Sequence, residues 1–486
     1  MSKIIIQNGN MCELDLPLKF AQKLYNEFAI RHPNAFYLRT RQRGMQNWDG
    51  KIHYITKTGQ FKIGLLPKVY DMCIEMGIKP KVVDMRQPLP KVSKVVTNIG
   101  KYKLRPEQEK AVKAVINNKI GNTPFHIGVL DYTVNAGKTL IMSSLYLTYK
   151  KQLKTLLITN DSDWLNQARE EFKQYLPGED ITFVQGKVLN WSNFTIGMVQ
   201  SISRNMRFYQ KELSQIDMVL VDEADQGGSK QYQNVITRLF NTRIRIGLSG
   251  TIYMSKLAKD KVKNMNLECF FGKVIAEFKL KDSIKKGYST KTIVKMVPGK
   301  PWYGNWESDC ISYKEIYDDS ITENNTAWTM AYNRLRWNIN QGRYPALVVC
   351  KHIAHCENLY KFFKKKLGDA YNIAYVHVNT PSKLRQQIMR DFREGKIDIL
   401  VSTTIIARGK NFPKLRYLLN AASMDSQEKS IQFLGRLVRT DESKNKVYLD
   451  DLHYPGNYLD RHGKHRKQYY HCLLYTSDAA DDLTRV

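Results

Sequence analysis

Apolar residues recur along the chain in short continuous runs that alternate with amphipathic stretches. Between residues 100 and 285 the runs are TLLITN, FTIGMVQ, DMVLVDEAD and RIRIGLSGT, and between residues 290 and 471 they are PALVVC, YNIAYVHV, IDILVSTT and KVYLDDL. Runs of this length indicate buried strands, and the helical stretches between them indicate βαβ units with a parallel sheet. The pattern therefore predicts an α/β fold with two doubly wound parallel-sheet lobes in tandem.

The first part of the chain follows a different pattern. LPLKFAQKLYNEFAI has apolar residues at helical spacing, and WDGKIHYITKTGQFKIGLLP alternates apolar and polar residues around glycine turns, which is typical of hairpin strands. We predict a small α+β module over residues 1–95, a first lobe over 96–288 and a second lobe over 289–471. Residues 300–330 fit neither lobe pattern, which indicates an insertion.

The end of the chain changes abruptly in composition. The basic and aromatic RHGKHRKQYYH is followed by CLLYTSDAADDLTRV, residues 472–486, which resembles a translated sequencing adapter. We expect a non-native tail there, with an ordinary acidic tail as the alternative. No run approaches the roughly 18 apolar residues of a membrane helix, and MSKIIIQNGN lacks the apolar core of a signal peptide. We therefore expect a cytoplasmic protein that makes no membrane contact.

Charge points to a polyanionic partner. The 486 residues include 76 Lys and Arg against 46 Asp and Glu, a net charge of +30, and residues 1–95 carry 16 basic and seven acidic residues. Such an excess is typical of nucleic-acid binding. The seven scattered cysteines indicate reduced thiols. CKHIAHC, Cys350 to Cys356, has zinc-ligand residue types, but its pattern predicts a strand, a turn and a helix start, and no second ligand pair follows.

A phosphate-binding loop is predicted at YTVNAGKT, residues 132–139. The usual pattern G-x-x-x-x-G-K-[ST] has glycine where Tyr132 stands. A phosphate cradle needs backbone conformations with positive φ, which Gly137 adopts readily and Asn135 tolerates. Lys138 would neutralise phosphates and Thr139 would hold Mg²⁺, at the start of a helix.

Further chemistry is expected where apolar runs end. MVLVDEADQ places Asp222 and Glu223 after a strand, a pair suited to holding Mg²⁺ and deprotonating an attacking water. In QFLGRLVRT, the positions of Gln432, Arg436 and Arg439 fall on one helical face, and two guanidiniums there match a γ-phosphate. A solvated basic helix is the alternative.

These segments occur in an order that resembles the motifs of superfamily 2 helicases. YTVNAGKT, DEAD, SGT, VSTTIIARGKN and QFLGRLVR are similar to motifs I, II, III, V and VI. LRPEQEKAV resembles the adenine-side element, TNDSDWLNQ and GMVQS resemble motifs Ia and Ib, and VVCKHIAHCENL resembles motif IV. The resemblance covers residues 100–445 and implies two RecA-like lobes that bind ATP between them.

The resemblance implies a role for each matching residue. ATP would be bound by Arg105 and Gln108, which would read the base, and by Asn135, Ala136, Gly137, Lys138, Thr139 and Gly409. Catalysis would involve Lys138, Asp222, Glu223, Gln432, Arg436 and Arg439, with Mg²⁺ on Thr139 and Asp222. DNA would be contacted by Gln167, Gln200, Ser201, Lys351, His352, Thr403 and Thr404. Ser249 and Thr251, with Gln432 and Gly409, would couple hydrolysis to movement. An ordinary R-P-E-Q helix start is the alternative for Arg105 and Gln108.

The N-terminal segments NWDGKIHYI and LLPKVYDMCIEMG resemble those of phage UvsW-type helicases, which unwind and branch-migrate recombination intermediates. This resemblance implies an ATP-dependent DNA helicase or translocase that acts as a monomer on branched, forked or duplex DNA, in the cytoplasm of a bacterial host. Its contacts are expected mainly on phosphates, so binding is expected to be salt-sensitive.

Three alternatives remain open. DEAD is also found in RNA helicases or remodellers, but SGT stands in place of SAT, motif VI begins with Gln432 and no P-T-R-E-L element occurs. A branched-DNA binding protein with a degenerate, non-hydrolysing nucleotide site is supported by Tyr132 and Asn135. The third alternative is the motor subunit of a restriction or packaging enzyme, although no nuclease-like carboxylate cluster is present outside the helicase motifs.

Overall fold

The structure, a computed structural model, describes residues 2–41, 44–92, 94–149, 152–186, 190–252, 260–299, 312–407, 412–425, 427–438 and 444–474. No helix within these ranges is long and apolar enough to cross a membrane.

The chain divides into two compact units, Met1–Phe278 and Lys279–Val486. The boundary lies before residue 288, where the sequence pattern predicts the end of the first lobe. The reason is local packing: Leu280 is buried in the apolar core of the second unit, and Ile284 packs against the same core.

The N-terminal part of the first unit is the small α+β module that the sequence predicts. Its elements are β1 (Lys3–Ile6), β2 (Met11–Asp15), α1 (Leu18–Glu27), β3 (Ala29–Arg31), α2 (Ala35–Arg41), β4 (Lys51–His53), β5 (Gln60–Lys62), α3 (Leu66–Glu75) and β6 (Lys81–Asp84). One sheet has the order β5-β2-β1-β6, with β1 and β6 parallel and the other pairs antiparallel. Strands β3 and β4 form a separate antiparallel pair.

The rest of the first unit is a doubly wound lobe, as predicted. Its elements are β7 (Asn98–Ile99), β8 (Tyr102–Lys103), α4 (Pro106–Ile116), β9 (Lys119–Ile120), β10 (Thr123–Pro124), β11 (His126–Tyr132), α5 (Lys138–Thr148), β12 (Thr155–Thr159), α6 (Ser162–Tyr175), β13 (Ile181–Val184), β14 (Phe194–Met198), α7 (Val199–Arg204), α8 (Gln210–Ser214), β15 (Met218–Asp222), α9 (Lys230–Ile236), β16 (Ile244–Ser249), α10 (Lys261–Phe271) and β17 (Val274–Phe278). Its seven-stranded sheet has the order β13-β14-β12-β15-β16-β11-β17, and every pair is parallel. Strands β11, β12, β14, β15 and β16 are buried along their whole length, which explains their continuous apolar sequences.

The N-terminal module and the first lobe share one apolar core. Ile4 and Val69 of the module belong to the same buried cluster as Val219 and Val221 of β15. Close backbone contact is possible because Gly64 has no side chain: a Cβ there would lie 2.1 Å from the carbonyl oxygen of Glu268 in α10. The module is therefore built onto the lobe rather than tethered to it.

Gly64→Ala is expected to lower the free energy of unfolding by about 1–3 kcal/mol, because the added methyl group overpacks a backbone contact. Gly228→Ala is the matched control, since the nearest atom to its added Cβ would be 3.7 Å away. Urea denaturation of both variants measures the difference. Equal stability of the two variants would contradict a shared core.

The second unit is also a doubly wound lobe. Its elements are α11 (Leu280–Lys285), β18 (Lys291–Pro298), α12 (Tyr313–Tyr317), α13 (Asn325–Asn340), β19 (Ala346–Cys350), α14 (Ile353–Leu367), β20 (Ile373–Val376), α15 (Ser382–Glu394), β21 (Ile399–Thr403), β22 (Tyr417–Asn420), α16 (Gln427–Leu437), β23 (Lys446–His453) and α17 (Asn457–Leu474). Its six-stranded sheet is wholly parallel, in the order β18-β23-β22-β19-β21-β20. Along β19, Leu347 and Val349 lie in one core and Val348 and Cys350 in the other, so helices cover both faces.

The predicted insertion and tail are only partly described. Residues 312–330 of the predicted insertion include α12, a π-helix at Asp318–Thr322 and the start of α13. Helix α17 ends at Leu474, inside the segment 472–486 that is predicted to be non-native. Residues 475–486 lie outside the described residues, so the nature of that segment stays a prediction.

Candidate functional site

The predicted nucleotide motifs meet at one edge of the sheet in the first lobe. The phosphate loop follows β11, Asp222 ends β15 and Ser249 ends β16, and these strands are neighbours in the order β15-β16-β11. The carboxyl ends of parallel strands lie at the same edge, which is where ligands bind in open α/β sheets. Motifs Ia and Ib follow β12 and β14, in the other half of the same edge.

The loop from Tyr132 to Lys138 has the backbone of an anion-binding turn. Asn135 has φ 66° and Gly137 has φ 73°, so the positive φ angles predicted for both residues are confirmed. Helix α5 begins at Lys138, and Gly137 through Thr139 are partly exposed. Backbone N–H groups at the start of a helix suit phosphate oxygens.

Tyr132 is the last residue of strand β11 and is fully buried. Its hydroxyl donates a hydrogen bond to the carbonyl oxygen of Glu107 in α4, at 2.8 Å. Because this residue is a strand residue without positive φ, glycine is not required at the position. The departure from the usual loop pattern is therefore compatible with a phosphate-binding turn.

Gln108 supports the same loop from behind. Its side-chain Nε2 donates to the carbonyl oxygen of Ala136 at 2.8 Å, and its Oε1 accepts from the backbone N–H of Arg105 at 2.8 Å. The side chain is fully buried. The sequence predicts that Gln108 and Arg105 bind the adenine base of ATP, and this role stays a prediction. The contact between Gln108 and Ala136 was not predicted, because no local sequence pattern indicates it.

Asp222 and Lys138 form the electrostatic centre of the site. The pKa of Asp222 is raised, mainly by burial and also by the nearby Asp225 and Asp161 carboxylates. The Lys138 ammonium and a hydrogen bond from the Glu223 backbone act in the opposite direction and lower this pKa. Among the described residues, Asp222 Oδ1 is buried without a hydrogen-bond partner. A buried carboxylate oxygen of this kind needs a donor or a cation, so its environment fits Mg²⁺.

Glu223 follows Asp222 in a left-handed conformation, with φ 53° and ψ 50°. This conformation is uncommon for a residue with a side chain and is found at functional sites. Glu223 is partly exposed, whereas Asp222 is buried. The two adjacent carboxylates therefore have different environments, as their different predicted roles require.

Motifs II and III are joined by a hydrogen bond. Ser249 Oγ donates to Asp225 Oδ1 at 2.9 Å, and the same Oγ accepts from the Thr251 backbone N–H at 3.1 Å. Sequence reasoning singled out Ser249 and Thr251 but missed Asp225, although it is the final residue of DEAD. The contact gives a physical link between the two motifs; their coupling role stays a prediction.

The predicted DNA-binding residues of the first lobe differ in accessibility. Gln200 Nε2 donates to the carbonyl oxygen of Asn160 at 3.3 Å, which joins motifs Ia and Ib. Ser201 Oγ accepts from the Gly186 N–H at 2.9 Å. Gln167 lies on the exposed side of α6. The DNA contacts of these residues stay predictions.

In the second lobe, motifs IV and V follow the neighbouring strands β19 and β21. The Lys351 ammonium lies 3.9 Å from the centre of the Tyr313 ring, and His352 immediately precedes α14. Thr403 is the buried last residue of β21, and Thr404 begins a 3₁₀ turn. Four of the predicted DNA-binding residues are thus brought to one edge of this sheet.

The Cys350–Cys356 segment has the predicted strand, turn and helix start. Both cysteines are free and buried, and His355 Nδ1 lies 3.1 Å from the Tyr317 hydroxyl. In the described part of the chain, no group of three or more His, Cys, Asp and Glu residues could hold a metal ion.

Motif VI is partly described. Gln432 lies in α16, with its Oε1 buried and unpartnered among the described residues. Arg436 is in the same helix, but its side chain lies outside the described part, as do Gly409 and Arg439. The roles assigned to these three residues stay predictions.

Two known families match the two lobes. Residues 101–254 match "Type III restriction enzyme, res subunit" and residues 331–441 match "Helicase conserved C-terminal domain". The two parallel-sheet lobes, the first with an anion-binding type of turn beside paired carboxylates, agree with these matches to a helicase-type protein. The chain belongs to the superfamily 2 helicases, a membership that implies use of a nucleotide.

Individual relatives are distant. The "ATP-dependent DNA helicase uvsW" of Enterobacteria phage T4 is 21% identical over 469 residues, which cover 90% of this chain and 88% of that protein. IRC3 of Saccharomyces cerevisiae is 22% identical over 378 residues, which cover 72% of this chain, and the match spans about half of that relative, 51%. The structure of the "ATP-dependent Type ISP restriction-modification enzyme LlaBIII bound to DNA" shares the fold, with a TM-score of 0.57 and 14% identity over 83% of this chain and 32% of that one.

Proposed function

We propose that the protein is an ATP-dependent DNA helicase or translocase that unwinds or branch-migrates forked and recombination-intermediate DNA. The observation that carries the proposal is the phosphate-binding turn beside a buried, unpartnered carboxylate oxygen of Asp222. A turn of this kind without a nearby carboxylate would only bind an anion, whereas the combination suits phosphoryl transfer.

Lys138 and the N–H groups of the turn hold the β- and γ-phosphates of ATP. Glu223 accepts the proton of the attacking water; its side chain is partly exposed, unlike that of Asp222. Tyr132 and Gln108 position the turn through their contacts with Glu107 and Ala136. Catalysis of this kind is mainly positioning and charge stabilisation.

Thr139 and Asp222 are the residues that would hold Mg²⁺. The ion would neutralise charge that develops on the transferred phosphoryl group. Two protein ligands are enough, because Mg²⁺ at phosphate sites keeps several waters and binds the phosphates themselves.

One observation supports DNA as the substrate, and a second indicates how the DNA would be held. The alignment with the T4 DNA helicase covers 90% of this chain, more than residues 96–486 can supply, so it includes part of the basic N-terminal module. That module is packed onto the first lobe through a shared core, so DNA held by the module would be held at a fixed place relative to the motor edge of that lobe.

The test is ATP hydrolysis with no nucleic acid, with a synthetic four-way DNA junction and with an RNA hairpin, at about 50 and 200 mM salt. We expect strong stimulation by the junction, weak stimulation by RNA and a marked loss at higher salt. The Lys138→Ala variant supplies the background rate.

Each other outcome selects one of the remaining functions. Stimulation by RNA but not by DNA would replace the proposal with an RNA helicase. Junction binding without hydrolysis would leave a DNA-binding protein with an inactive nucleotide site.

A further inference from the structure

Helix α2 of the N-terminal module exposes two aromatic side chains to solvent. Phe36 is 80% exposed and Tyr37 is 54% exposed, and Ala35 is the single buried residue of this seven-residue helix. Adjacent aromatic side chains in such positions contribute little to the core. Exposed apolar side chains that lie side by side often mark an interaction site, whereas single scattered ones need no explanation.

The sequence that contains α2 is rich in arginine. Between Glu27 and Asp49 the sequence contains no Asp or Glu, and it contains four arginines, Arg31, Arg39, Arg41 and Arg43. The Arg41 guanidinium lies over the Tyr37 ring, 5.0 Å from its centre. We refer to Phe36, Tyr37, Arg39 and Arg41 as the α2 platform. Its charge is complementary to a polyanion rather than to an apolar protein surface.

A hydrogen-bonded turn at Trp48–Gly50 packs against helix α2. The Trp48 indole N–H donates a hydrogen bond to the Lys51 carbonyl oxygen at 2.9 Å. The Trp48 ring packs edge-on against the His32 ring, with 5.8 Å between the ring centres. Gly50 has φ 78°, and a Cβ there would lie 3.1 Å from Ala35 Cβ. The Trp-Asp-Gly turn therefore fits against the base of α2, which fixes where the two rings are presented.

Aromatic rings beside arginines are the combination that binds unpaired nucleotides. Bases stack on the rings, and the guanidiniums neutralise the phosphates of the same strand. Paired bases inside a duplex offer no free face, so the rings select positions where the duplex has opened. A partner protein would need matching acidic and apolar surface, whereas a single strand supplies both features in every nucleotide.

We infer that the α2 platform stacks on unpaired bases at the boundary between duplex and single-stranded DNA. This inference rests on the proposed function and deepens it, because it names the part of the DNA that the N-terminal module contacts. The N-terminal module then binds the end of the duplex where the strands separate. Because the module and the first lobe share one core, the first lobe contacts the DNA at a fixed distance from this point.

The experiment uses the full-length chain and a DNA fork with 2-aminopurine as the first unpaired base. We expect Phe36→Ala/Tyr37→Ala to weaken fork binding by about tenfold, because the unpaired bases lose the rings on which they stack. The quenching of 2-aminopurine fluorescence seen with the unaltered protein should disappear. Binding to a blunt duplex and hydrolysis without DNA should not change.

Three further variants separate stacking from charge and from general surface effects. Leu18→Ala removes another exposed apolar side chain of the same module and should bind the fork normally. Phe36→Trp/Tyr37→Trp should retain both affinity and quenching. Arg39→Gln/Arg41→Gln should reduce the slope of log affinity against log salt concentration by about 2. Phe36→Ala/Tyr37→Ala should leave this slope unchanged.

The inference is wrong if fork-stimulated hydrolysis occurs but Phe36→Ala/Tyr37→Ala binds and quenches like the unaltered protein; the proposed function would then stand. If the unaltered protein neither binds the fork nor responds to it, the proposed function fails and the inference fails with it. An equal loss of affinity in Leu18→Ala would also overturn stacking as the cause.

Discussion

Lys138→Ala is expected to reduce junction-stimulated ATP hydrolysis on the order of 10³-fold, the scale for losing a group that stabilises transition-state charge. Lys138 is the first residue of α5, and its ammonium group lies 3.4 Å from the Tyr132 carbonyl oxygen. It also lowers the pKa of Asp222. Its removal should therefore leave Asp222 more protonated, and residual activity should need more Mg²⁺.

The measurement is steady-state hydrolysis over a range of Mg²⁺ concentrations, together with thermal unfolding. Lys154→Ala is the matched control, because Lys154 directly precedes β12 at the opposite edge of the same sheet. Both variants should unfold at nearly the same temperature. Hydrolysis in Lys138→Ala close to that of Lys154→Ala would remove the phosphate-binding role from the turn.

Glu223→Gln is expected to lower the hydrolysis rate by about 10²–10⁴-fold, the usual contribution of a general base, without loss of ATP binding. Glutamine has nearly the same shape and suits the same backbone conformation, but its amide cannot accept the proton of water. Asp222 keeps its carboxylate in this variant, so Mg²⁺ should still bind. The variant should therefore trap bound ATP.

Single-turnover hydrolysis and binding of a fluorescent ATP analogue separate the two effects. Glu170→Gln is a suitable control, because the Glu170 side chain is exposed on α6. Its Oε1 lies 3.8 Å from Lys173 Nζ. Unchanged hydrolysis in Glu223→Gln would transfer the role of base to another group. Loss of ATP binding would instead assign Glu223 to the support of the phosphate turn.

Local sequence rules were sufficient for the fold class and for the backbone conformation of the turn after β11. Buried parallel strands give continuous apolar runs, so β12 and β15 could be recognised in TLLITN and DMVLVDEAD. The positive φ angles of Asn135 and Gly137 could be expected because these are the residue types that adopt them at low cost. Both signals act between near neighbours in the chain.

The C-terminal boundary of the first lobe could not be derived from the sequence in the same way. Leu280 follows the first lobe in sequence, but it is buried in the core of the second unit. Which of two cores receives an apolar side chain depends on the packing of both, and periodicity gives only the presence of an apolar face. The predicted boundary at residue 288 reflects that ambiguity.

The sequence by itself thus determined the two parallel-sheet lobes, the α+β module and the set of helicase motifs, because periodicity, residue conformation and residue order express them directly. Only the tertiary structure decided that Tyr132 bonds to Glu107, that Gln108 braces Ala136, and that Ser249 bonds to Asp225. These contacts join residues 24 to 28 positions apart. Partners at such separations are chosen by the packing of whole strands and helices into one core, which no local pattern in the chain encodes.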